Sequence, residues 1–420
     1  MNIVQPTLRA TFAPQGKGNH LEVDVKRHFL IAWTALILSF MSVESGASAI
    51  DVQIAPHSVV NQTPSSVITV TVKNTSGGVV YIPKFLSPFY TPDGHLMTKL
   101  FDVKDASGKE VTFTGRMVRV APRDPDTFFL KMEAGQSMSQ DIDLSADYDL
   151  TAGGTFQVSY TQGYSVTVHT DDRGEIDGDF YFQASQSATV WIDPAMAHAV
   201  TAVSHSMTSL QAPQALGSQQ CTSEQLTTIR SAALAAYNVS YNALQGIKAL
   251  YVVVEGQDSS GTTTYQGRIK DDATYTTWFG PTQNTGEVHY AEPRYDQYWD
   301  TDVDFEMIHF MNSISLRIGA GTYLCGCPGY DSRVAAWTIP QTQTINFCDG
   351  FFNLKQIDGG YDSQVLTVIH EVSHYVDMWG GGTGDYAYGR GAARVLATND
   401  KFLAVRNADN IMYYEGTYVR

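Results

Sequence analysis

The 420-residue chain is poor in positive charge: 27 lysines and arginines against 43 aspartates and glutamates leave a net charge of −16. No basic cluster beyond Lys26-Arg27 offsets this, so the electrostatic footprint of a nucleic-acid-binding protein is missing. The sequence also lacks an apolar run of the roughly 20 residues a spanning helix needs, so no stable membrane anchor is expected. Cysteine is scarce, and its four residues, Cys221, Cys325, Cys327 and Cys348, all fall in the second half. Cys325 and Cys327 have no second C-x-x-C or nearby histidine, which makes them a poor structural metal site. An even cysteine count reads instead as two disulfides if the chain is exported. Two further gaps matter below: no lysine lies between Lys131 and Lys248, and no glutamate between Glu371 and Glu415.

The strongest apolar segment is short. Residues 24–49 run from Lys26-Arg27 through Phe29-Leu30-Ile31-Ala32-Trp33 and Phe40 to Ala47-Ser48-Ala49, the charged start, apolar core and small-x-small end of a cleavable signal peptide. Residues 1–49 are therefore expected to be an N-terminal extension with signal peptide, cut after Ala49, and the product to be secreted.

Length suggests two or three domains. From 50 to 193 short period-two runs alternate with turn residues. Ile68, Val70 and Val72 face one way between Thr69 and Thr71, and Phe156, Val158 and Tyr160 repeat the pattern. This predicts an all-β sandwich with no close cluster of histidines and acids. Residues 194–217, rich in Ala, Ser and Gln, read as a linker with a processing site. The second domain, 218–420, opens with a capping box at Thr222-Ser223-Glu224-Gln225 and a helix whose apolar positions include Leu226, Ile229, Ala233, Leu234, Tyr237, Tyr241 and Leu244. A second helix is expected from Asp304 to Ile318. Residues 334–348 predict two strands about Pro340-Gln341. They are either an ordinary hairpin or, in a protease, a free edge that receives an extended substrate backbone.

Chemistry concentrates in Val368-Ile369-His370-Glu371-Val372-Ser373-His374. Two histidines four apart on a helix are turned by only about 40°, so both rings reach one ion from one face. Glu371 between them is free to act as general base on a water. The helix is expected to start at an Asp362 N-cap and to end at Gly380.

Catalytic zinc takes three protein ligands. A metzincin would place Gly at 377 and His at 380, where this chain has Asp377 and Gly380. The glutamate gap disfavours a thermolysin-like ligand. Of the downstream aspartates, Asp377 would extend the row His370–His374 along the helix and could not wrap an ion. Asp385 follows Gly380-Gly381-Gly382, which lets the chain swing back, and is the best third ligand.

The combination H-E-x-x-H with Gly382-Thr383-Gly384-Asp385-Tyr386-Ala387-Tyr388-Gly389 resembles the aspzincin metalloendopeptidases, the deuterolysin and peptidyl-Lys family. The likeness extends through Tyr275–Gly280, Cys325-Gly326-Cys327 and Asn407-Ala408-Asp409. It implies a mainly helical α+β zincin-like catalytic domain and a precursor form. The implied cofactor is one Zn2+, held by His370, His374 and Asp385, with Glu371 as base and Tyr388 donating to the oxyanion. It also implies disulfides Cys221–Cys325 and Cys327–Cys348. The β-rich region resembles the family's propeptides, expected to act as inhibitor or folding aid. In lysine-specific members an aspartate and, three residues on, a glutamate receive the lysine. Asp409 matches the first and is the expected substrate-binding residue, but the second position is Met412. The lysine gap means that lysine-directed self-cleavage could not fall in the linker.

The reading is a secreted zinc-dependent endopeptidase acting on proteins or peptides, with a preference for lysine on the primed side as a further expectation. The alternatives are a secreted binding protein with a degenerate zincin domain and a zinc hydrolase acting on a non-peptide bond.

Overall fold

The computed structural model describes residues 49–57, 66–92, 94–120, 125–170, 176–182, 187–192, 220–257, 259–261, 263–282, 303–359, 361–378 and 381–419. The expected signal segment up to residue 48 and the linker at 194–217 lie outside them.

The first half supplies β1 (Ile50–Pro56), β2 (Val67–Asn74), β3 (Val80–Pro83), β4 (Phe101–Asp105), β5 (Met117–Val120), β6 (Phe129–Met132), β7 (Ser137–Asp143), β8 (Gly154–Tyr160), β9 (Gly163–Thr170), β10 (Ile176–Phe182) and β11 (Ser187–Ile192). Alternation works as expected in β2: Ile68, Val70 and Val72 are buried, and Thr69 and Thr71 point away from the core. The strands form not two sheets but three antiparallel ones, in the orders β1-β2-β7, β10-β9-β3-β6 and β11-β8-β4. They enclose one core that includes Val70, Leu100, Phe101, Val103, Val158 and Val190.

The second half contains a hairpin, β12 (Tyr251–Gln257) with β13 (Thr263–Ile269), and the strands β14 (Thr322–Cys325), β15 (Val334–Ile339) and β16 (Thr344–Phe347). Its longer helices are α1 (Ser223–Leu250), α2 (Ala273–Phe279), α3 (Val303–Arg317), α4 (Gln364–Ser373), α5 (Gly389–Asn399) and α6 (Ala408–Gly416). The capping box forms on α1 through Thr222 and Gln225. Its buried stripe is built of smaller residues than expected: Ile229, Ala232, Ala236, Ala243 and Ile247 face the core, while Leu234, Tyr237 and Tyr241 are exposed. Small side chains let α1 approach α3 and α4 closely, and the two tyrosines stack on each other outside. Cys221 bonds to Cys325, tying the start of α1 to β14, and Cys327 bonds to Cys348 beside the β15–β16 pair.

One strand crosses between the halves. β5 leaves the β-rich region and pairs antiparallel with β15, making the sheet β14-β16-β15-β5. All four of its residues are buried, so it is covered on both faces, as a central strand would be. Around it a separate apolar core joins Phe85, Phe128 and Phe129 to Trp337, Tyr388 and Leu396. Residues 48–420 form one compact unit.

Glu415 on α6 is fully buried, and Ser240 of α1 donates to its Oε2. Burial pushes its pKa up to about 8, a shift that the Ser240 hydrogen bond opposes. The unfolded chain titrates near 4.3, so between about pH 4 and 8 the folded state holds the extra proton. The stability that this burial contributes is present below that window and is lost as pH rises through it, by about 1.4 kcal/mol per unit. In urea unfolding at pH 5 and pH 8, Glu415→Gln should gain on the wild type by a few kcal/mol at the higher pH. The same difference at both pH values would show that Glu415 is not held protonated.

Candidate metal centre and active site

Helix α4 is capped not by Asp362 but by Ser363, whose hydroxyl accepts from the Leu366 N–H at 3.2 Å. It ends at Ser373, short of Gly380, with His374 as C-cap. The reason lies in the chain that follows. The Val376 N–H is drawn off to the carbonyl of Pro340 on the neighbouring hairpin, and the Thr383 N–H returns to the carbonyl of Ser373. At Gly382 a Cβ would sit 2.1 Å from the His374 carbonyl oxygen, so only glycine permits this return. Asp377, left outside, pairs with Arg317 at 2.6 Å.

That return brings His370, His374 and Asp385 together, all buried. The two Nε2 atoms are 3.2 Å apart, and Asp385 Oδ1 lies 3.2 Å from one and 3.4 Å from the other. A tetrahedral ion with bonds of about 2.1 Å holds its ligands about 3.4 Å apart. Asp385 Oδ1 and both oxygens of Glu371 are buried without a hydrogen bond, as expected of atoms shaped for an ion and a water. The donor set and its spacing fit zinc.

The atoms behind the ligands fix which nitrogen faces inward. His374 Nδ1 is 2.9 Å from the Thr383 carbonyl, which only accepts, so Nδ1 carries the hydrogen and Nε2 is left as donor to a metal. His370 Nδ1 is similarly 2.9 Å from Asp409 Oδ1. Thr383 thus orients the His374 ring through its carbonyl, and its hydroxyl is 2.6 Å from that of Ser373. Asn407 holds the Asp385–Tyr388 turn by accepting the N–H groups of Tyr386 and Ala387 and donating to the Ala387 carbonyl. Nothing in its sequence position announced this role.

The electrostatics of the site's own side chains follow from burial and crowding. Burial lowers His374 to about 4. Burial also pulls on His370, but the charge of Asp385 overrides it and raises the ring to about 9. Burial raises Glu371 to about 8. Tyr388 is pushed well above its ordinary value by burial and keeps its proton.

The histidines do not open onto an empty cleft on every side. Thr98 donates to Asp385 Oδ2 at 3.3 Å, the Tyr388 hydroxyl donates to the carbonyl of Val118, and the Arg119 guanidinium bonds Asp409 and Asp362. All three contacts come from the β-rich half. A cleft of about 390 Å³ remains, lined from both halves by residues including His374, Thr383, Met117 and Phe113.

Two histidines, an aspartate and a nearby buried glutamate define a metal-dependent hydrolase of the zincin kind. The family model described as aspzincin, lysine-specific metallo-endopeptidase, matches residues 264–416. A peptidyl-Lys metalloendopeptidase of Armillaria mellea is 28% identical over 329 residues, 76% of this chain and 78% of that protein. An extracellular protease of Aeromonas hydrophila is 27% identical over 354 residues, 83% and 86% of the two chains. A solved zinc peptidase from Grifola frondosa is 26% identical, covering 47% of this chain and 96% of its own, with a TM-score of 0.35. Residues 264–416 match the aspzincin family, and with these relatives they mark the chain as a zinc metalloendopeptidase.

If His374 and Asp385 are ligands, Asp385→Ala and His374→Ala should each abolish zinc retention on dialysis while the wild type keeps about one ion per chain. Plasma mass spectrometry of the dialysed proteins reads this directly. Undiminished zinc in either variant would remove that residue from the ligand set.

Proposed function

We propose that the chain is the secreted precursor of an endopeptidase in which His370, His374 and Asp385 hold one zinc ion, Glu371 and Tyr388 carry the proton and charge chemistry, and residues 50–193 keep the site latent. The observation that carries this reading is the Val118–Arg119 peptide of β5. Tyr388 donates to its carbonyl oxygen. Its N–H, that of Arg119, works against the burial that raises Glu371 and so favours the charged form. An extended backbone in that place, added to the edge of β15, is how a protease receives substrate. It favours a peptide bond over a non-peptide substrate, and an active site over a degenerate one.

Zinc, when bound, supplies the positive charge that polarises a carbonyl and acidifies a water. Glu371 takes the proton of the attacking water and passes it to the amine nitrogen as the C–N bond breaks. Water's oxygen thus ends on the new carboxyl group and its proton on the new amine. Tyr388, protonated because it is buried, donates to the oxygen that gains negative charge. Asp409 and Asn407 do no bond chemistry; the first lies behind His370 and the second fixes the turn that carries Asp385 and Tyr388.

Export is supported by the signal-like segment at 24–49 and by the likeness to the extracellular protease of Aeromonas hydrophila. The alignments with both relatives are longer than residues 194–420 can supply, so the likeness reaches into the β-rich region. This supports its reading as a propeptide, joined by a linker at 194–217 where processing occurs. A preference for lysine on the primed side is supported by Asp409 and by the names of the peptidyl-Lys relatives.

Glu371→Gln should fold, retain zinc and lose at least about a hundredfold in kcat on a denatured protein substrate. Tyr388→Phe should lose about 10²-fold in kcat with a smaller change in KM. Both are read from steady-state kinetics after processing, beside zinc content and melting temperature. Wild-type turnover by Glu371→Gln would reject the mechanism.

A further inference from the structure

The Arg119 side chain is 1% exposed and lies between two carboxylates equally hidden from water, Asp362 at 2% and Asp409 at 0%. Its Nη1 donates to Asp409 Oδ1 at 2.5 Å and its Nη2 to Asp362 Oδ1. The guanidinium carbon sits 5.2 Å from the centre of the Tyr388 ring. Tyr413 adds its hydroxyl to Asp362 at 3.4 Å, steadying it from α6. A planar fork with one N–H group aimed at each of two carboxylates, beside an aromatic face, suits a guanidinium better than a point charge.

Arg119 follows Val118, whose carbonyl takes the Tyr388 hydroxyl. If Val118–Arg119 lies where a scissile bond lies, Arg119 occupies the position just after the cut. Its side chain therefore marks the pocket for that position.

We propose that Asp362 and Asp409 together form a specificity pocket for a basic side chain immediately after the cleaved bond, that this pocket takes arginine as well as lysine, and that Arg119 is its intramolecular stand-in. The proposal rests on the endopeptidase reading above. It answers the question left by Met412, which is buried in the apolar core and brings no charge. The second carboxylate comes instead from the residue before the Ser363 cap of α4, which sequence spacing along α6 could not show. Once β5 leaves, two buried carboxylates remain without their cation. An apolar side chain entering the pocket would not replace the lost guanidinium, whereas a basic one restores the opposite charge, so the pocket selects by penalising the wrong residue. Asp409 also lies 2.9 Å from His370 Nδ1, so changing it disturbs a metal ligand too. Asp362 is the cleaner probe.

The full chain, zinc-loaded and matured by limited proteolysis between residues 193 and 220, is given a peptide library varied at the position after the cut, and cuts are mapped by mass spectrometry. Arginine and lysine should dominate that position. Asp362→Asn should lower the arginine-to-leucine ratio of cleavage rates at least about tenfold. Cutting that ignores this position, or an unchanged ratio in Asp362→Asn, overturns the pocket. No cutting at all would strike at the endopeptidase reading instead, and a second measurement then decides on the pocket without activity. In unprocessed Glu371→Gln protein, Arg119→Ala should melt below its parent and Arg119→Lys between the two. Millimolar methylguanidinium should raise the melting temperature of Arg119→Ala more than that of the parent. Equal responses to methylguanidinium would overturn the proposal.

Discussion

The buried ion pairs of Arg119 are the constraint on which the two halves of the molecule depend. A guanidinium removed from water is tolerable only when its charge is matched, and here the match is two carboxylates 243 and 290 residues away in sequence. The surrounding field agrees with the pairing: burial pulls Arg119 down, yet Asp362 and then Asp409 hold it well above its ordinary value, and burial pushes Asp409 up, yet Arg119 and then His370 hold it below its own. Removing β5 would therefore leave two buried anions beside the metal centre. β5 also lies on the edge of β15, and the apolar core that includes Phe128, Phe129, Trp337 and Tyr388 packs together around it.

The candidate metal centre is built by a helix that stops early. Because α4 ends at Ser373, the backbone can fold at Gly382, hand its Thr383 carbonyl to His374 and bring Asp385 against both histidines. A helix running to Gly380 would have carried the loop that bears Asp385 away from the two histidines. Asn407 then locks the turn after Asp385, so that Tyr388 faces the same site. Behind the histidines Asp409 approaches one and the Thr383 carbonyl the other, and both imidazoles present Nε2 to a common point.

Much of the site was legible because its parts are close in sequence and follow a fixed spacing. His370, Glu371 and His374 share helical periodicity, and the glycine run before Asp385 announces a return. The disulfide partners implied by the family resemblance are those seen. What was not legible depends on long-range contact. Asp362 reads locally as a helix cap, but its carboxylate is claimed by Arg119 while Ser363 takes the cap. Arg119 itself sits in a short apolar stretch with no local mark of function. The end of α4 was misread because helix-forming residues continue past Ser373, and only the tertiary pull of Pro340 on the Val376 N–H reveals the stop. On α1, period alone could not decide between two overlapping stripes, and packing chose the one with smaller residues. The β-rich region showed its alternation but not its three-sheet arrangement, nor the departure of β5 from it.

The central claim is that the β-rich half stands where substrate would stand. The most direct measurement is the peptidase activity of the zinc-loaded full chain on a small fluorogenic peptide, before and after a single cleavage between residues 193 and 220 followed by removal of the β-rich fragment. An intramolecular strand competes at a high effective concentration, so the uncut chain should be at least about a hundredfold less active than the separated catalytic half. Equal activity before and after would contradict the account.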